Sequence, residues 1–137
     1  MSDRTSIICF YHAPCNDGAA AAAALEYRMM RAHAGSGTVV DVRFCPLAYN
    51  SEWDDPFAES FLHAELHTRW DVHEIYLVDV SMSATKFNQV YDYLRATNRI
   101  KAGAIRVVCI DHHQTALDKI DELRTFCTET DIRIGPG

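Results

Sequence analysis

Positive charge is in short supply: 13 lysines and arginines stand against 19 aspartates and glutamates, a formal net charge of −6. That balance leaves no broad basic surface to grip a long nucleic-acid duplex by counterion release. The basic residues Arg28, Arg31, Lys86, Arg95, Arg99 and Lys101 are scattered along the chain, a distribution that suits a nucleotide-sized ligand better than a polymer. Long apolar runs are also missing. No stretch approaches the roughly 18 residues of a membrane span, and the polar Met1–Ser6 segment leads into a strand-like run, unlike a signal peptide. A cytoplasmic location is the expectation. Glycine (6) and proline (4) are scarce in the 137 residues, which excludes fibrous and low-complexity classes, and one compact domain is the natural size. The cysteines Cys9, Cys15, Cys45, Cys109 and Cys127 form no C-x-x-C pair. Their odd number argues against a disulfide framework.

What is present alternates. Ser6 to Tyr11, Thr38 to Cys45, Glu74 to Val80 and Ala104 to Ile110 read as apolar strands, the second ended by Pro46. Between them lie helical stretches: the alanine-rich Gly18 to Ala34, Phe57 to Trp70, and Ser83 to Arg95, with Thr115 to Phe126 closing the series. Near-continuous apolar strands separated by helices predict an α/β fold, a single Rossmann-like domain with a mostly parallel sheet flanked by helices on both faces. Ligands of such sheets bind at the carboxyl ends of the strands.

The polar residues gather at those ends. Tyr-His-Ala-Pro-Cys-Asn-Asp-Gly (11–18) follows the first strand, Asp79 sits at the end of the third, and Asp111, His112 and His113 terminate the fourth. Histidine, aspartate and cysteine are the ligand types of divalent transition metals. Two such ions about 3.5–4 Å apart polarise a phosphoryl group and make a nucleophile of water near neutral pH. A helix starting at Gly18 adds N–H groups that favour a phosphate at the same edge.

The His-x-x-Cys-x-Asp-Gly segment at 12–18, the strand-end Asp79 and the Asp-His-His triplet at 111–113 together resemble the DHH phosphoesterase superfamily. Its members include RecJ-like exonucleases, enzymes that degrade very short oligonucleotides, cyclic-dinucleotide phosphodiesterases and family II inorganic pyrophosphatases. The first motif looks most like the oligoribonuclease or cyclic-nucleotide phosphodiesterase branch. The resemblance implies His12 and Asp17 as metal ligands, Asp79 as the carboxylate bridging two ions, and His112 as a further ligand. It gives His113 and Gly18 substrate-binding roles, and Asp111 the task of orienting its neighbours. Asp17, Asp79, Asp111, His112 and His113 form the implied catalytic set. The usual ion is Mn²⁺, with Mg²⁺, Zn²⁺ or Fe²⁺ as alternatives.

The pattern departs from the family in two places. Cys15 stands where the first aspartate of an Asp-x-Asp would fall, either as a softer ligand or as a thiol beside the site. The family's fourth motif and C-terminal substrate domain have no counterpart within 1–137; Asp118, Asp121 and Asp131 are candidates by residue type only. The expected function is therefore hydrolysis of phosphodiester bonds in short oligonucleotides or small, including cyclic, nucleotides. The alternative is a nucleotide-binding module, or a subunit whose partner or second copy supplies what is missing. His63 and His67 read as a solvated helix face, Tyr49, Trp53 and Phe57 as packing, and Ser83 as a helix cap.

Overall fold

The computed structural model describes residues 4–12, 16–47, 71–96, 100 and 105–134. Cys15, the loop bearing Tyr49 and Trp53, and the expected helix with Phe57, His63 and His67 lie outside the described residues. The described elements are β1 (Arg4–His12), α1 (Asn16–Ala32), β2 (Val39–Leu47), β3 (Glu74–Val78), α2 (Ala84–Ala96), β4 (Arg106–Asp111), α3 (Gln114–Asp118), α4 (Ile120–Leu123) and β5 (Glu129–Ile132). All five strands pair in parallel, in the order β2-β1-β3-β4-β5. The α/β fold is as the apolar strand pattern requires.

Successive residues of the inner strands enter two separate cores. Ile7, Cys9, Tyr76, Val78 and Val108 pack with Ala22 and Leu25 of α1. Ile8, Phe10, Ile75, Leu77, Val107 and Cys109 pack with Phe87, Val90 and Leu94 of α2 and with Ala116 and Leu123 beyond β4. Both faces of the sheet are thus covered, which is why the strands read as continuous apolar runs instead of alternating ones. The alanines of α1 present little side chain, and that helix contributes Ala22 and Leu25 as its buried residues after Gly18. In α2 the buried Phe87, Val90 and Leu94 recur at helical spacing, and Ser83 Oγ accepts a hydrogen bond from the Lys86 amide at 3.1 Å, the N-cap expected of it.

Element bounds shift by one or two residues, α1 opening at Asn16 instead of Gly18 so that Asp17 and Gly18 fall in its first turn, and the structure differs from the sequence reading more substantially at four places. Pro46 does not end β2, which runs on to Leu47; β2 is an edge strand, where a missing N–H can face the open side. β3 stops at Val78, because Asp79 adopts φ 56°, a left-handed conformation that no strand accommodates. The terminal helix is two short ones, the chain leaving helical geometry at Lys119 (φ −110°, ψ 21°). Ala116 and Leu123, seven apart, share a helical face with or without that break, so periodicity does not reveal it. Finally, β5 is an additional strand, Glu-Thr-Asp-Ile, too short and polar to carry an apolar signal.

Candidate metal centre

In an order of β2-β1-β3-β4-β5 the direction of strand succession reverses between β1 and β3, and the crevice outside their carboxyl ends is the natural ligand site. The polar residues at the strand tips fall there. His12 is the last residue of β1, Asp79 follows β3, and Asp111 ends β4 with His112 and His113 directly after it. The Asp79 amide donates to the Ile110 carbonyl at 2.9 Å, extending the β3–β4 ladder by one rung before the backbone turns left-handed.

Those tips converge. His112 Nε2 lies 2.5 Å from Asp79 Oδ1, and His12 Nδ1 lies 3.6 Å from Asp79 Oδ2. His113 Nδ1 is 2.7 Å from Asp111 Oδ1 and 3.9 Å from Asp79 Oδ1. The rings of His12 and His113 meet edge to face with centroids 5.7 Å apart. Asp111 Oδ1 also accepts the amides of His112 (2.7 Å) and His113 (3.3 Å), so this one oxygen fixes the backbone of the triplet and the His113 ring together. With Nδ1 of a neutral His113 donating to Asp111, Nε2 is left with the lone pair that a cation or a ligand proton needs.

Asp79 and Asp111 are both buried, each 4% exposed. Asp79 Oδ2 and Asp111 Oδ2 are inaccessible to solvent and accept no hydrogen bond among the described residues. A buried carboxylate oxygen without a hydrogen bond carries much of the desolvation cost of its charge, and a divalent cation is one group that removes it. Ligand atoms of Asp79, Asp111, His112 and His113 all lie within 4.8 Å of one another. Ligands at about 2.1 Å from a shared ion are at most about 4.2 Å apart, so small side-chain movements complete the shell. The donor set of two carboxylates and two imidazoles suits a first-row divalent ion; it does not select among Mn²⁺, Zn²⁺ and Fe²⁺.

Of the residues anticipated from sequence, His12, Asp79, Asp111, His112 and His113 come together. Asp17, in the first turn of α1, lines the same cleft of about 260 Å³ as Asp79, Asp111 and His112 but is not part of the close cluster. Gly18 is buried against the end of β1: a Cβ built there would collide with the His12 carbonyl oxygen. No side chain fits that approach, and the glycine thereby lets α1 begin beside His12. Asp131 and Arg133, at the tip of β5, also line the cleft. By sequence Asp131 is a candidate by residue type only and Arg133 carries no signal, because β5 has no apolar pattern of its own. The available signal was topological: a fifth parallel strand brings its end to the edge where the others end.

Away from this edge, Arg106 spans the amino ends of three strands, donating to Glu74 (3.1 Å) and Glu129 (2.9 Å), with Tyr76 Oη at 3.3 Å. Cys9, Cys45 and Cys109 are buried thiols. Burial pushes the Cys9 thiol up to about 12, with Cys45 adding to the shift, and raises Cys109 as well. No helix among the described residues is long and apolar enough to cross a membrane. No family model, curated protein or solved structure gives a significant match to this chain.

Proposed function

We propose that this protein is a cytoplasmic, metal-dependent phosphoesterase of the DHH type that hydrolyses phosphodiester bonds in short oligonucleotides or small nucleotides. The observation that carries the reading is the cluster of two buried carboxylates and two imidazoles, Asp79, Asp111, His112 and His113, in which Asp79 Oδ2 and Asp111 Oδ2 accept no hydrogen bond among the described residues. His12, Asp79, Asp111 and His112 are the residues to hold the ion, with Asp17 across the cleft and Mn²⁺ as the first candidate. When bound, such a cation polarises a phosphoryl oxygen and lowers the pKa of water.

The charge of the cleft supports the same conclusion. Four carboxylates, Asp17, Asp79, Asp111 and Asp131, face one guanidinium, Arg133. A lining of that sign repels phosphate until cations reverse it. His113 then serves the ligand phosphate with Nε2 while Asp111 holds its Nδ1, and the crevice between β1 and β3 orients the phosphate beside His12 and Asp79. The close cluster has ligands for one ion, and this favours, as a second reading, a module that binds a nucleotide without turning it over.

Turnover of a dinucleotide or bis-p-nitrophenyl phosphate with Mn²⁺ tests the enzyme. Hydrolysis that is lost in an Asp79→Asn, His112→Ala double variant supports it, and equal hydrolysis by both proteins refutes it. Nucleotide binding by calorimetry without product formation leaves only the second reading.

A further inference from the structure

The cleft beside the metal centre has two features that the ion does not use. The first is Arg133. Its amide donates to the Asp111 carbonyl at 3.0 Å, which ties it to the tip of β4, and its Nε donates to Asp131 Oδ1 at 2.9 Å. The two Nη groups have no partner among the described residues, and the side chain is 86% exposed where it lines the cleft. A guanidinium oriented through Nε, with its outer nitrogens open, is the arrangement that receives a phosphate oxygen.

The second feature is Ile110. It belongs to an inner strand, between Cys109 (0% exposed) and Asp111 (4%), yet it is itself 37% exposed. Its side of the sheet is the one α1 covers over Val108 and Tyr76, and the cover ends short of Ile110. The bare residue forms part of the cleft floor. A second depression of about 310 Å³, sharing Ile110 and Asp131 with the first, continues over Val108 toward Arg28. An apolar floor with a few polar anchors is the usual make-up of a small-molecule site.

Building on the metal-centre reading, we propose that Arg133 and Ile110 form a substrate subsite for a nucleoside phosphate. Arg133 holds a non-bridging phosphate oxygen opposite the ion, and Ile110 supports the base. Arg133 is thus a substrate-positioning residue of the same centre, and the continuing depression admits one further ring. Continuity with the metal-ligand cluster, and Arg133 as the one guanidinium in the acidic lining of the first cleft, favour a nucleotide over a protein partner as the occupant.

Calorimetry separates this proposal from the one beneath it. Mn²⁺ is titrated first, then inorganic phosphate and adenosine monophosphate in the presence of Mn²⁺, for the natural protein and for Arg133→Ala, Arg133→Lys and Ile110→Asn. Both side chains are exposed enough for the variants to fold. Arg133→Ala should retain Mn²⁺ affinity and lose about 10- to 100-fold in phosphate affinity, with Arg133→Lys recovering part. Ile110→Asn should leave phosphate unchanged and weaken adenosine monophosphate about fivefold to tenfold. Normal Mn²⁺ binding with undiminished ligand affinity in the variants overturns the subsite alone. Absence of Mn²⁺ binding by the natural protein overturns the metal centre and the subsite with it. A dimer that Ile110→Asn dissociates would assign the face to a second copy and also refute the proposal.

Discussion

Replacing Asp79 by asparagine removes one negative charge and almost nothing else. The two side chains share shape, and both tolerate the left-handed backbone that Asp79 adopts at φ 56°. The variant therefore isolates the carboxylate's charge. In the ion-free protein the change loses a charge-assisted contact to His112 (2.5 Å) but relieves an oxygen buried without a partner. These effects oppose one another, and the melting temperature should move by less than about 4 °C, the equivalent of about 1 kcal/mol at this chain length. With Mn²⁺ at one hundred times its dissociation constant, the natural protein gains about 2.7 kcal/mol, or about 11 °C. Changing a residue that merely supports a ligand costs about 10- to 100-fold in metal affinity, so a direct ligand should cost at least the upper figure. At the same Mn²⁺ concentration the asparagine variant then gains about 0.4 kcal/mol, or about 2 °C. Thermal unfolding followed by far-UV circular dichroism, with and without Mn²⁺, reads both numbers. A Mn²⁺-induced rise in the variant equal to that of the natural protein would refute the assignment of Asp79 as a ligand.

Three further outcomes follow from the packing. Gly18→Ala forces a Cβ toward the His12 carbonyl, a backbone atom that cannot rotate away; about 2–3 kcal/mol of stability should be lost in urea unfolding, and Mn²⁺ affinity should drop because His12 is displaced. Leu94→Ala, at a fully buried position between α2 and the sheet, should cost about 3–5 kcal/mol, and a loss below about 1 kcal/mol would contradict the core described above. The unfolded Cys9 thiol ionises near 9.0, whereas the folded one keeps its proton to about 12. Between those values the unfolded chain binds fewer protons, so stability falls as pH rises, by about 1.4 kcal/mol per pH unit for this group; urea midpoints at pH 8 and pH 10 should show a steeper decline in the natural protein than in Cys9→Ala.

The sequence made the sheet and three of its tips legible because those features depend on local chemistry. Ile7–Phe10, Ile75–Val78 and Val107–Cys109 are apolar without interruption since each faces a core on both sides. His12, Asp79 and Asp111–His113 stand out as polar residues where such runs end. What stayed hidden depends on neighbours in space. β5 becomes a strand by pairing with β4, Val108 to Glu129 through Asp111 to Ile132, and no apolar face of its own announces it. Without β5, nothing in the sequence places Asp131 and Arg133 in the cleft. Ile110 looked like one more core residue in Ala104–Ile110, and its exposure follows from where α1 ends its cover, a fact of packing and not of periodicity. Asp111 illustrates the division within a single residue. Its orienting role toward His113 was anticipated from the motif, whereas its second oxygen, buried and unmatched, belongs to the three-dimensional arrangement.

The cluster is costly to folding, and the cost identifies its purpose. Asp79 occupies a left-handed position that glycine would adopt freely and that aspartate accepts at a smaller cost than most residues. It carries a charge into a site 4% exposed, close to a second buried carboxylate, and each of the two keeps one oxygen that accepts no hydrogen bond among the described residues. Structural needs do not require this. A glycine would make the turn after β3, and an asparagine would keep a hydrogen bond to His112. Strain, burial and like-charge proximity at one spot are the combination expected where a site is preorganised for a ligand. Each of the three penalties falls when a divalent cation enters: the charges are compensated, the free oxygens gain a partner, and the coordination geometry holds the turn. On the proposed reading, ion binding and folding are coupled at this edge of the sheet, and the metal dependence of stability is the measurement that tests the cluster directly.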